Sequence, residues 1–263
     1  MNEAGHAGYC KRPPPHVGGY GFTRIELLTV LAAAGLLTAL GASVMGSSAA
    51  RTDLIVCANN LRQAGRAFNV WASDHGGENP WWVSYKEGGS LVRNTEPRPS
   101  TISVPGLGPA PTGLRQNAWF QFAFIGQELQ TPTVLVCPTD REKFRAENFS
   151  TEGGYMSAGF QDHATSYFVG LHAFGTIPNS MLSGDRTIKE NLVNVDCSAS
   201  ISATLNIPRG GPYGWLPGLH ESRVGNLLMN DGHVEELSVL GLGQYLWSGG
   251  GETMRNDHIL KPN

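Results

Sequence analysis

Charge is scarce in this sequence. Asp, Glu, Lys and Arg make up 16% of its 263 residues, against about 25% in ordinary soluble domains. The net charge of -3 and pI of about 6.2 leave no basic footprint, so no nucleic-acid partner is expected. Linear enzyme signatures are also missing. His220-Glu221 lacks the second histidine of H-E-x-x-H, and there is neither a G-x-S-x-G elbow nor a phosphate-binding P-loop. No residue is assigned a catalytic role, and the chain is read as a non-enzyme. The four cysteines, Cys10, Cys57, Cys137 and Cys197, form no C-x-x-C pair of a zinc or redox motif. Proline is absent between Pro15 and Pro80, so nothing there forces a helix to break.

Glycine is abundant instead: 34 residues, nearly twice the usual share of about 7%, which predicts a loop-rich exported domain. Residues 27–45, LLTVLAAAGLLTALGASVM, carry no formal charge. At about 1.5 Å per residue such a run is long enough for a hydrocarbon core of about 30 Å, and it predicts a membrane-spanning helix. A secretory signal would have an apolar stretch of about 7–15 residues and a small-residue cleavage site at its far end. Gly46-Ser47-Ser48-Ala49-Ala50 offers such a site, but the near boundary argues otherwise. There Tyr20-Gly21-Phe22-Thr23-Arg24-Ile25-Glu26 leads straight into the apolar run and places a carboxylate at its edge, which marks Glu26 as a functional candidate. Lys11, Arg12 and Arg24 precede the run while only Arg51 closely follows it, so the positive-inside rule puts the N-terminus in the cytoplasm.

GFTRIELLTVLAAAGLL resembles the prepilin-type cleavage and methylation segment of type IV pilins and type II secretion pseudopilins. The resemblance implies cleavage by a prepilin peptidase between Gly21 and Phe22, N-methylation of Phe22, and pairing of Glu26 with the Phe22 amine of a neighbouring subunit. It also implies an inner-membrane assembly platform and other pilin-like subunits as partners. The resulting localisation is single-pass in the inner membrane, with the globular domain periplasmic or on an extracellular filament. The leader, with Pro13-Pro14-Pro15, is longer and richer in proline than the family pattern.

Beyond Arg51 the pattern becomes amphipathic. Leu54, Ala58, Leu61, Gly65, Phe68 and Ala72 recur at helical spacing, predicting one helix from about Thr23 to Ser73, terminated by Asp74-His75-Gly76-Gly77. Asn79-Pro80-Trp81-Trp82 begins a loop, and residues 104–113 are too rich in proline and glycine for regular structure. Residues 115–129 suit a short helix or an aromatic strand. Thr133 to Cys137 reads as a buried strand, with weaker strands at Thr165–His172, Leu192–Val195 and Ile201–Leu205. Asn230-Asp231-Gly232 between two apolar runs predicts a hairpin.

That hairpin, with CANNLRQ at 57–63 and VCPTD at 136–140, resembles a bacterial group of pilin-like proteins marked by a histidine, a nine-residue spacer and Asp-Gly. Here ten residues separate His220 from Asp231-Gly232. His220, Asp231 and His233 are the candidate ligands for calcium or another metal, although calcium favours oxygen donors and a structural turn is the stronger reading. After cleavage three cysteines remain, Cys57, Cys137 and Cys197, compatible with three thiols or one bridge. Asp140-Arg141-Glu142 and Asp185-Arg186 read as turn or cap charges. In Trp81-Trp82, one buried and one exposed ring is the stronger reading than a sugar- or partner-binding pair.

The expectation is therefore α+β: a long N-terminal helix, transmembrane in its first half, packed on a small antiparallel sheet in a pilin-like domain. The leader is 1–21, the transmembrane and assembly helix 22–50, and the exported domain 51–263. The expected function is a structural pilin or pseudopilin subunit. The rivals are a tethered binding module that does not polymerise and an anchored enzyme.

Overall fold

A computed structural model describes residues 21–93, 95–189, 191–195, 204–208, 214–220, 223–248 and 256–262. Residues 1–20 of the leader, including Cys10, and Cys197 lie outside the described residues. The chain divides into two compact units, Met1–Ser47 and Ser48–Asn263.

Helix α1 runs from Arg24 to Ser73. Thr23 and Glu26 form a reciprocal cap at its start: Thr23 N donates to Glu26 Oε2 at 2.8 Å and Glu26 N to Thr23 Oγ1 at 3.3 Å. This satisfies two N–H groups that the first turn leaves without partners. In the first unit the side chains of Phe22, Ile25, Leu27, Leu28, Val30, Leu31, Leu36 and Leu37 are exposed. The expected transmembrane first half is not found, since among the described residues no helix is long and apolar enough to cross a membrane.

In the second unit α1 buries the stripe Leu54, Cys57, Leu61, Ala64, Phe68 and Trp71. At about 1.5–3 kcal/mol for each fully buried large apolar side chain, this face is what fixes the helix here. Gly77 N–H bonds back to Ala72 C=O at 2.8 Å, and Gly76 and Gly77 take positive φ of 71° and 84°, so the chain leaves the helix through a glycine cap. His75 stacks on Trp71 with centroids 3.7 Å apart.

Strands β1 (Thr101–Val104) and β2 (Gly108–Pro111) pair as an antiparallel hairpin, in a segment expected to be irregular. Helices α2 (Ala118–Phe124) and α3 (Gly126–Leu129) lie within 115–129, the stretch expected as a short helix or an aromatic strand, and every residue of α2 is buried. In place of the strand expected at Thr133–Cys137, Pro132–Leu135 form a 3₁₀ helix. Thr131 caps it by accepting from Thr133 N–H at 3.4 Å, and Pro132 at its first turn favours that geometry over a ladder.

The sheet is larger than the small one expected. Its seven antiparallel strands are β3 (Tyr167–Gly170), β4 (Met181–Asp185), β5 (Asn191–Val195), β6 (Thr204–Pro208), β7 (Val224–Met229), β8 (Val234–Ser238) and β9 (Asn256–Leu260), in the order β5-β6-β9-β3-β4-β7-β8. The period-2 alternation of strands divides the core into two layers. Tyr167, Val169, Leu182, Leu228 and Leu260 join the layer containing α1 and α2. Phe168, Met181, Leu227, Met229 and Ile259 join Trp215 and helix α4 (Val239–Ser248) on the other side. A helix therefore covers each face of the central strands.

Candidate functional site

The hairpin β7–β8 closes through Asn230, Asp231 and Gly232. Gly232 N–H donates to Met229 C=O at 2.9 Å and Gly232 has φ 91°, the arrangement of a three-residue loop ending in a left-handed glycine. Asn230 pins the turn: its Nδ2 donates to Phe174 C=O at 2.7 Å and its Oδ1 accepts from Asn79 Nδ2 at 3.0 Å. Against this turn lies α1. A Cβ on Gly65 would sit 2.7 Å from Leu228 Cδ1 and 3.5 Å from Gly232 Cα, and one on Gly232 would sit 3.1 Å from Asn69 Nδ2.

At the other end of β7 is His220, buried beside Cys57 and Cys137. The two marks of the C-terminal motif thus meet α1 at separate stations, His220 at Cys57 and Gly232 at Gly65 and Asn69. These are 8 to 12 residues apart, or about 12–18 Å along a helix. Strand β7, Val224–Met229, lies between these two stations in the chain.

This separation dissolves the expected trio of His220, Asp231 and His233. Asp231 and His233 pair with each other, Nδ1 to Oδ1 at 2.6 Å, and His233 Nε2 lies 3.3 Å from Glu235. Burial pushes the Asp231 carboxyl up, but the backbone and ring hydrogen bonds of His233 outweigh it and hold the carboxyl below its ordinary range. Among the described residues the group close enough to hold a metal is a different one: Cys57, Cys137 and His220, whose ligand atoms all lie within 4.8 Å of one another. Cys57 and Cys137 are joined as a disulfide across a separation of 80 residues, with Cα atoms 5.2 Å apart.

Around the disulfide is a buried polar pocket of the core that linear spacing does not reveal. Asp185, fully buried at the end of β4, accepts at Oδ2 from Asn226 N at 2.7 Å and Nδ2 at 3.3 Å. His220 Nε2 lies 3.2 Å from the same oxygen, within ion-pair range but without the alignment of a hydrogen bond. His220 Nε2, Asp185 Oδ1 and Asn226 Oδ1 are all buried without a hydrogen-bond partner. Burial first, and then the charge of Asp185, push the Tyr167 phenol well above its ordinary value, so it stays protonated.

Of the charges expected at turns, Arg141 and Glu142 are exposed, whereas Asp140, Asp185 and most of Arg186 are internal. Asp140, its side chain 1% exposed, receives Arg186 Nε and Nη2 at 2.8 and 2.9 Å and Ser166 Oγ at 2.8 Å; Arg186 also pairs with Glu142. Asp140 N–H bonds to Cys137 C=O at 3.0 Å. The pair therefore ties the loop carrying Cys137 to the end of β4 carrying Asp185. Trp81 is buried, Trp82 half-buried, and both indole N–H groups donate to Leu171 C=O at 3.0 Å. This fastens the tandem tryptophans into the fold.

The remaining candidates, Gly21, Phe22 and Glu26, sit at the start of α1, with Phe22 exposed and Glu26 engaged by Thr23. No protein-family model matches the chain, and neither the curated proteins nor the solved structures contain a match to it.

Proposed function

We propose that the chain is a pilin-like subunit, cut between Gly21 and Phe22 by a prepilin peptidase and assembled with other pilin-like subunits through its N-terminal helix. The observation that carries this reading is the start of α1. Immediately after Gly21, a capped helix begins whose large apolar side chains, from Phe22 to Leu37, are exposed. Exposed apolar surface of this extent needs a partner, and a second copy of the same helix supplies one. The Cys57–Cys137 disulfide supports export of the globular unit to an oxidising compartment.

Glu26 has two duties in this reading, capping its own helix and, after cleavage, pairing with the new amine of a neighbour. Glutamine preserves the cap and removes the charge, so Glu26→Gln separates them. Co-expressed with a prepilin peptidase, the wild-type chain is expected to yield a mature N-terminus at methylated Phe22 by mass spectrometry. Glu26→Gln should be processed equally well yet form crosslinked oligomer ladders at least about tenfold less, as loss of about 1.4 kcal/mol per contact requires. An intact N-terminus in the presence of peptidase would end the proposal. Undiminished ladders would remove Glu26 from assembly.

A further inference from the structure

We infer that the Cys57–Cys137–His220 cluster is a redox-gated site for a zinc-class divalent cation. The disulfide is its closed state, and the reduced dithiol its metal-binding state. Two independent observations meet here. First, two sulfurs and a ring nitrogen, all buried, lie within 4.8 Å of one another. They come from α1, the loop after the 3₁₀ helix and the loop before β7. Tetrahedral zinc, with bonds of about 2.3 Å to sulfur and 2.0–2.1 Å to nitrogen, sets its ligand atoms roughly 3.5–3.8 Å apart. All three ligand atoms lie inside 4.8 Å, and the bonded sulfurs must part to reach that spacing. With Cα atoms 5.2 Å apart, parting the sulfurs calls for side-chain rotation rather than backbone movement.

Second, polar atoms beside the cluster are not satisfied by hydrogen bonds. His220 Nε2 and Asp185 Oδ1 are buried and make no hydrogen bond, a condition that costs free energy and asks for an explanation. Asp185 lies outside the three-atom cluster but 3.2 Å from His220 Nε2. A carboxylate on the outer nitrogen of a metal-bound histidine fixes the ring and raises its basicity. Two thiolates balance the charge of the cation, and Asp185 faces the polarised imidazole. Such a Cys₂His set leaves the fourth position open to water or another donor.

The chemistry balances with a dithiol as reductant. Its two thiols give two electrons and two protons to the Cys57–Cys137 bond, the S–S bond breaks, and the dithiol leaves as its own disulfide. Zinc then displaces the two cysteine protons. Oxidation reverses the sequence and expels the metal.

The test uses the full chain carrying Cys10→Ser and Cys197→Ser, so that only Cys57 and Cys137 remain. A trialkylphosphine, taking its oxygen from water to become the phosphine oxide, reduces the bridge without chelating metal. Cobalt(II) is then titrated in. The reduced protein should take up one equivalent with thiolate-to-cobalt charge-transfer absorption, displaced by zinc, while the oxidised protein shows no such band. His220→Ala should weaken binding at least tenfold, and Asp185→Asn by about tenfold. Should reduction alone unfold the chain, zinc should restore its near-ultraviolet circular dichroism. Failure of reduced protein to bind cobalt, failure of zinc to restore the fold, or equal binding by His220→Ala would each overturn the assignment.

Discussion

Asp140 illustrates how a single buried side chain reports on the fold. Burial raises its carboxyl pKa, but hydrogen bonds from Arg186 and Ser166, the Arg186 charge and the Glu142 N–H outweigh that effect and leave it below the ordinary value. A folded pKa depressed below the unfolded one gives stability that is present above the unfolded value, about 3.9. It is lost as pH falls through the folded value. Stability should therefore decline in acid below about pH 4, with part of the decline absent in Asp140→Asn. Asp140→Ala removes one partner of a buried pair and leaves Arg186, half withdrawn from water, without its main acceptor. A loss of about 3 kcal/mol at neutral pH is expected from urea unfolding. A loss under about 1 kcal/mol would mean that the pair contributes no more than an exposed one. Nothing in the sequence joins Asp140 to Arg186. Each sits in a short charged run that resembles a turn, and the 46 positions between them are bridged only when β4 passes the Cys137 loop. A separation of 35 positions likewise hides Asp185 from His220.

At the scale of elements, the legible parts are those whose signal is local. The 3.6-residue stripe from Leu54 to Ala72 announces α1, and Asp-Gly between apolar runs announces β7–β8, because both patterns are written in one continuous stretch of chain. Pro132 to Leu135 goes wrong for an equally local reason. Its β-branched residues suggest a strand, while Thr131 and Pro132 start a 3₁₀ turn that wins through capping. β9 inserts between β6 and β3, a pairing of distant segments that leaves no periodic trace. Where the two local signals meet, at Gly65 and Gly232, the contact can be tested. Gly232 holds φ 91° against Asn69, a conformation that costs an L-residue about 1–2 kcal/mol. Gly232→Val should lower stability by about 2 kcal/mol, while Asn230→Ala, which releases the turn from Phe174 and Asn79, should cost about 1–3 kcal/mol. Unchanged denaturation midpoints in both variants would show that the turn does not fix the sheet on α1.

At the scale of the whole molecule, the chain divides into Met1–Ser47 and Ser48–Asn263. Every residue of both core layers lies in the second unit. That unit also holds the disulfide, whose closure across 80 residues contributes about 4 kcal/mol by restricting the unfolded chain. The first unit instead carries large apolar side chains open to solvent, Phe22 at 83% and Leu37 at 71% exposed. In the proposed reading, stability and association belong to different stretches of one helix. A chain beginning at Ser48 should keep the stripe from Leu54 to Ala72, unfold in one cooperative transition and melt within about 4 °C of the full-length protein. Sedimentation should find it monomeric at concentrations where the chain beginning at Phe22 self-associates. If the shortened chain associates equally, the surface that joins copies lies on the globular unit, and the N-terminal helix is not the assembly element. If it fails to fold, α1 before Ser48 supplies stability that its exposed side chains do not account for.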